Sequence, residues 1–169
     1  MHLNQNMDTM KNLLEAFAGE SQANRKYLAF AQTADKEGYS QAAKLFRAAA
    51  QAETVHALAH LRAMGTVGST RENLKAAIEG ETHEFTRMYP AMIERAKAEG
   101  QDAALRSFSY ANSVEVQHAS LYQRALENLD SLPETDYYVC SVCGYTCADQ
   151  PPDVCPVCRS VAKVFTKID

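Results

Sequence analysis

Two tetrapeptides carry residue types that could do chemistry, Glu53-Thr54-Val55-His56 and Glu115-Val116-Gln117-His118. On a helix, side chains three residues apart leave from one face, so each Glu-x-x-His sets a carboxylate beside an imidazole. With a carboxylate from each of two further helices, this is the ligand grammar of a carboxylate-bridged di-iron or di-manganese site. The further carboxylates are Glu20, and Glu81 with Glu84. Any one of them alone reads more simply as a solvated surface residue. As a set they do not, because their spacings match that grammar. Five inward carboxylates, each costing several kcal/mol or taking up a proton when uncompensated, would need cations among them.

A second cluster lies near the C-terminus. Cys140-Ser141-Val142-Cys143 and Cys155-Pro156-Val157-Cys158 are separated by eleven residues, a strong tetrathiolate signature. Disulfides fit poorly, since knuckles of this spacing favour metal and the chain reads as cytoplasmic. A segment this small also needs its metal in order to fold. Spacing does not separate a structural zinc ribbon from a redox-active Fe(Cys)4 centre. The fifth cysteine, Cys147, reads as a thiol without a role.

Four helical segments must position the first set. Apolar residues recur at three- and four-residue steps from about Asp8 to Lys36 (Met10, Leu13, Phe17, Tyr27, Ala31) and from about Ser40 to Met64 (Phe46, Ala49, Leu61). A third segment follows Ser69, whose spacing to Glu72 is that of a capping box, and carries Leu74, Ile78, Phe85, Met88 and Met92. The fourth follows Gly100, with Leu105, Phe108, Tyr122 and Leu129. Glu20, Glu53/His56, Glu81/Glu84 and Glu115/His118 continue these stripes and so point inward. The midpoint of Glu20 and Glu53 falls next to Gly38, and that of Glu84 and Glu115 next to Gly100, so two helical hairpins would bring each pair to nearly the same level. Pro90 should kink the third segment. The expected fold is mainly α, a four-helix bundle with a small C-terminal metal ribbon. All five cysteines and four of the five prolines lie beyond residue 132, which places a domain boundary between 1–133 and 134–169.

Composition narrows the function. Seventeen Lys+Arg against twenty-one Asp+Glu give a net charge of -4, leaving no basic surplus to bind nucleic acid. The start, Met1-His2-Leu3-Asn4-Gln5-Asn6, has no cationic or apolar signal region, and no apolar run reaches the roughly 20 residues of a membrane helix. A cytoplasmic protein without a membrane or nucleic-acid partner is expected.

These residues resemble the rubrerythrin family, a ferritin-like di-iron bundle followed by a rubredoxin-like domain. The resemblance covers the whole chain. It rests on Gly19-Glu20-Ser21-Gln22-Ala23-Asn24 with Tyr27, on the two Glu-x-x-His pairs, and on Gly80-Glu81-Thr82-His83-Glu84 with Met88-Tyr89-Pro90. Tyr138-Val139-Cys140-x-x-Cys143-Gly144-Tyr145 and Cys155-Pro156-x-Cys158 complete it. The extra carboxylate of Glu81-x-x-Glu84 separates the family from plain ferritins. Arg159 departs from the pattern, since a glycine commonly follows the last cysteine.

The resemblance implies two irons in a carboxylate-bridged site and a third in the tetrathiolate, with zinc a possible substitute there. It implies a peroxidase reducing hydrogen peroxide to water, serving oxidative-stress defence, with electrons passed through the Fe(Cys)4 centre. The donor would be a rubredoxin or a separate NAD(P)H-linked reductase. Transferred by position, Glu53 and Glu115 bridge the irons, Glu20 binds one, and Glu81 with His118 the other. Glu84 and His56 exchange on the first iron as the redox state changes. Tyr27 and Tyr89 would hydrogen-bond ligand carboxylates, although as stripe aromatics they read equally well as packing residues. His60 and His83 read as packing or surface. The alternative is a ferroxidase that handles iron as ferritins do; an oxygenase and a zinc-stabilised interaction protein are further rivals.

One assembly expectation follows from chain reach. In a ferritin-like bundle the second and third helices run parallel. Their ligands then require a return of roughly 31 Å, while Met64 to Arg71 spans at most about 25 Å. Either the helix ends unwind by a turn, or the third and fourth helices cross into a partner. The second alternative is a domain-swapped homodimer, with Glu20, Glu53 and His56 from one chain and Glu81, Glu84, Glu115 and His118 from the other.

Overall fold

Glycines and one serine set the helix boundaries. In the computed structural model, which describes residues 2–168 (side chains from Asp8 onward), α1 spans His2–Lys36 and α2 Ser40–Met64. The first helix thus begins ahead of the expected Asp8. Gly65 ends α2 in the left-handed conformation, φ 64°, its N–H donating to the Arg62 carbonyl. That conformation is free of steric cost only for glycine. Helix α3, Thr70–His83, opens on the expected capping box. Glu72 N–H donates to Ser69 Oγ at 3.3 Å, and Ser69 N–H donates to Glu72 Oε2 at 2.8 Å. Such a cap is worth about 1 kcal/mol.

The expected kink at Pro90 takes another form. A π turn, Glu84–Met88, separates α3 from α4, Tyr89–Ala98. Pro90 therefore sits in the first turn of a new helix, where its missing N–H and fixed φ are tolerated. Thr86 Oγ1 donates to the Thr82 carbonyl at 2.5 Å across the turn. Helix α5 spans Asp102–Glu127.

The chain forms two compact units, Met1–Gly68 and Ser69–Asp169. In the first, α1 and α2 form a hairpin packed on small residues. Ala43, Ala50, Ala57 and Met64 recur every seven residues and are buried with Ala31 and Ala34. The line Phe46, Ala49 and Leu61, expected to face the core, is only half-buried. Alanine lets two helices approach more closely than a stripe of large residues would, so the close seam runs along the alanine line. In the second unit α5 packs against both α3 and α4, and a small ribbon follows. The ribbon strands are β1 (Tyr137–Cys140), β2 (Thr146–Ala148) and β3 (Phe165–Ile168). They form one antiparallel sheet in the order β2-β1-β3, with Val139 opposite Thr146 and Cys140 opposite Phe165. Among the described residues, no helix is long and apolar enough to cross a membrane.

Candidate metal centres

In the first unit, α1 and α2 bring Glu20, Glu53 and His56 together, with one ligand atom of each within 4.8 Å of the others. His56 Nδ1 lies 2.8 Å from Glu53 Oε2. The register of the two helices is held at this level by Asn24, one turn beyond Glu20. Its Nδ2 donates to the Ala50 carbonyl at 2.7 Å and to Thr54 Oγ1 at 2.8 Å. Tyr27 packs with Phe30 and Phe46, ring centroids 6.2 and 6.3 Å away.

The second unit repeats the arrangement. Glu81 of α3 and Glu115 and His118 of α5 meet the same 4.8 Å criterion. His118 Nδ1 lies 2.7 Å from Glu115 Oε2 and 3.8 Å from Glu81 Oε1. Each Glu-x-x-His pair thus turns the same imidazole nitrogen to the same carboxylate oxygen. Glu84, at the start of the π turn, is half-buried and lies outside this three-ligand cluster. It is close enough for its charge to act on Glu81 and on Tyr89. Tyr89 stacks obliquely on Phe108, and burial together with the charges of Glu84, Glu115 and Glu81 raises its hydroxyl pKa. Among the described residues, neither the Tyr27 nor the Tyr89 hydroxyl is hydrogen-bonded to a ligand carboxylate.

Burial, a hydrogen bond to Glu115 and the charges of Glu115 and Glu84 raise the Glu81 pKa to about 7. Crowded carboxylates of this kind share protons until a cation replaces them. The sign for stability follows. The unfolded chain releases this proton near 4.5 and the folded metal-free chain near 7. The native state therefore binds more protons between those values, and its stability falls as pH rises through the window. Chelator-treated protein is expected to melt at a lower temperature at pH 7.5 than at pH 5, with Glu81→Gln flattening the difference. Thermal melts across that range check it.

The four cysteines converge as their spacing requires. Cys140 Sγ lies 3.6 Å from Cys158 Sγ, and Cys143 Sγ 3.6 Å from Cys155 Sγ. A tetrathiolate with metal–sulfur bonds of about 2.3 Å has sulfur–sulfur edges of about 3.8 Å, whereas a disulfide measures about 2.0 Å. The observed spacing fits the metal site. The two knuckles repeat one hydrogen-bond pattern. Cys140 N–H donates to the Tyr145 carbonyl and Gly144 N–H to the Cys140 carbonyl; Cys155 N–H donates to the Ser160 carbonyl and Arg159 N–H to the Cys155 carbonyl. Gly144 and Arg159 occupy equivalent left-handed positions, φ 85° and 64°. The arginine holds there a conformation that costs a side-chain-bearing residue roughly 1–2 kcal/mol. Burial raises the Cys140 and Cys143 thiols. Burial also acts upward on Cys158, but hydrogen bonds from Ser160 and the neighbouring thiols outweigh it and bring that thiol down to about 6. Cys147 is half-buried outside the cluster, its Sγ directed at the Tyr138 and Gln150 carbonyls.

Residues 11–126 match the family described as rubrerythrin, and residues 138–166 the rubrerythrin rubredoxin-like domain. The chain belongs to the rubrerythrin family. Relatives span almost its full length. A nigerythrin of Nitratidesulfovibrio vulgaris is 34% identical over 94% of this chain and 85% of its own. A rubrerythrin of Porphyromonas gingivalis is 37% identical over 93% and 88%. The solved structure described as fully reduced, all-ferrous nigerythrin superposes with a TM-score of 0.59 at 33% identity, covering 95% of this chain and 86% of that one. The fold class is accordingly the ferritin-like, mainly α one with a rubredoxin-like ribbon. Rubrerythrins are oxidoreductases. The carboxylate–histidine residues and the four cysteines fit a di-iron centre and a rubredoxin-like iron. Two polar residues near these centres carry no role in the sequence reading. Asn24 has a local signal, a residue unfavourable in mid-helix one turn after a ligand. Thr146 has none, because its partner lies on a different element.

Proposed function

We propose that this rubrerythrin is a non-haem di-iron peroxidase that reduces hydrogen peroxide to water and takes its electrons through the Fe(Cys)4 centre. The observation that carries the reading is the tetrathiolate cluster built into the same compact unit as Glu81, Glu115 and His118. Storing iron requires no such electron port. Each turnover consumes one peroxide, two electrons and two protons and yields two waters. The bound irons supply the redox chemistry; the chain supplies the ligands and their order of engagement. Glu53 and Glu115 would be shared between the irons, Glu20 would hold one of them, and Glu81 with His118 would hold the other. Glu20, Glu53, Glu81 and Glu115 carry four negative charges, matching two ferrous ions. His56 would complete that set without adding charge, and Glu84 would add a carboxylate for the more positive oxidised pair. The His56 side chain is 56% exposed, against 26% for His118. Glu84 opens a π turn, an element often found at functional sites. Both features suit an exchanging pair. Tyr27 and Tyr89 support ligand carboxylates in the assembled site. A rubredoxin or an NAD(P)H-linked reductase delivers the electrons, the setting is cytoplasmic, and the functional modules are 1–133 and 134–169.

The assembled form in this reading is the domain-swapped homodimer. Helix α2 continues to Met64 and α3 starts at Thr70, which supports exchange over unwound helix ends. Each unit carries three convergent ligands, half of a bridged pair. Leu14, Phe30 and Leu58 of the first unit are each about half exposed in the isolated chain, as expected of surfaces that a second copy covers.

Stopped-flow mixing of fully reduced, iron-loaded protein with peroxide, and separately with dioxygen, tests the activity. Peroxide should oxidise it far faster, and His56→Ala should impair turnover more than iron binding. Equal rates with both oxidants would instead favour a ferroxidase.

A further inference from the structure

The imidazole of His118 is held at both nitrogens. Nδ1 faces the carboxylates, and Nε2 lies 3.0 Å from Thr146 Oγ1. When Nδ1 is given to a metal, Nε2 carries the proton, so the ring donates to the threonine. The Thr146 hydroxyl in turn donates to the Gly144 carbonyl at 3.1 Å, and Gly144 directly follows the ligand Cys143. Two hydrogen bonds therefore join a di-iron ligand to the knuckle of the tetrathiolate. The packing is built around this link. A Cβ added to Gly144 would stand 3.9 Å from Val114 Cγ1, so the knuckle seats on α5 one residue before Glu115. Thr146 is further fixed in β2 opposite Val139. Among the described residues, the Nε2 of His56 has no comparable tether.

We infer that Thr146 is a positioning residue that orients His118 and closes the through-bond route between the two metal centres. This rests on the electron path of the proposed function. The step is a one-electron transfer: the tetrathiolate iron goes from ferrous to ferric, and the carboxylate centre gains the electron. No covalent bond forms or breaks, and the two hydrogen-bonding protons stay on His118 Nε2 and Thr146 Oγ1. A hydroxyl is required because an apolar side chain would leave the Nε2–H without a partner and the ring free to turn.

The test uses full-length, iron-loaded wild type, Thr146→Val, Thr146→Ala and Thr146→Ser. A laser flash with a photoreductant places one electron on the tetrathiolate iron of oxidised protein. The return of its ferric visible absorption then times the transfer. In zinc-loaded samples, NMR follows hydrogen exchange of the His118 Nε2–H. Valine and alanine should slow the transfer about tenfold or more and expose the imidazole proton to exchange, with metal content unchanged. Serine should restore both readouts. Wild-type transfer rates in a valine or alanine variant whose imidazole proton has lost protection would overturn the inference. So would a wild-type chain showing no transfer between the centres. Peroxide is absent from the measurement, so a protein that fails to reduce peroxide yet transfers the flash electron through Thr146 counts against the proposed activity alone.

Discussion

Cys155→Ser is expected to cost the ribbon both its metal and its fold while the helices remain intact. Cys155 and Cys140 are 0% and 1% exposed and are the largest fully buried side chains among the described residues. Around them stand only half-buried aromatics, Tyr137, Tyr138, Tyr145 and Phe165, of which Tyr145 and Phe165 meet edge-on at 6.4 Å. Strands of four, three and four residues cannot bury enough surface to offset chain entropy at this size. A structural tetrathiolate metal contributes about 10–16 kcal/mol, comparable with the whole stability of an ordinary domain. Losing it should therefore unfold residues 137–168. The checks are loss of the thiolate-to-iron visible bands, collapse of amide dispersion in those residues, and far-UV circular dichroism still dominated by α1 to α5. Chelation in acid should act likewise, because burial holds protons on Cys140 and Cys143 and these compete with metal as pH falls. A metal-free Cys155→Ser ribbon that keeps its strand signals would show that packing alone suffices.

What could be read beforehand was whatever depends on short separations along the chain. The i, i+3 spacing of Glu53 with His56 and of Glu115 with His118 fixes one helix face, and the structure places each pair within 2.8 Å. Glycines beside the midpoints of Glu20/Glu53 and of Glu84/Glu115 mark hairpin turns. Glu20 does meet Glu53, whereas the carboxylate that meets Glu115 is Glu81, and Glu84 lies outside that cluster. The Ser69–Glu72 cap is equally local. Other features have no short-range signature. The alanine seam of α2 looks weakly apolar in composition, yet it packs more closely than Phe46 does. The π turn at Glu84 accommodates Pro90 through a change of hydrogen-bond period, which apolar spacing does not register. Thr146 is one β-branched residue in a short strand until the fold lays β2 beside His118. Arg159 illustrates the converse. Its departure from glycine is plain in the sequence, but the positive φ shows that the backbone kept the conformation and imposed it on an arginine.

Mixing two individually inactive variants should recover about a quarter of wild-type peroxidase activity. Glu53→Ala disables the ligand set of the first unit, and Glu115→Ala that of the second. In the proposed homodimer each variant alone then lacks one carboxylate in both of its sites and is expected to bind iron poorly. Co-refolding the two chains at equal amounts gives heterodimers in about half of the population. If each site joins the first unit of one chain to the second unit of the other, a heterodimer holds one site with both lesions and one with none. Half of the dimers with half of their sites intact gives the quarter. In an unswapped dimer every site keeps one lesion, and mixing recovers nothing. The readouts are peroxide-driven oxidation rate and di-iron content per chain, which should rise together. Tetrathiolate absorption should stay constant in every sample, because Cys140, Cys143, Cys155 and Cys158 lie on one chain and are untouched. Activity at the level of the separate variants, with heterodimers demonstrated by mass spectrometry, would rule out the exchanged arrangement and leave each chain to assemble its own seven ligands.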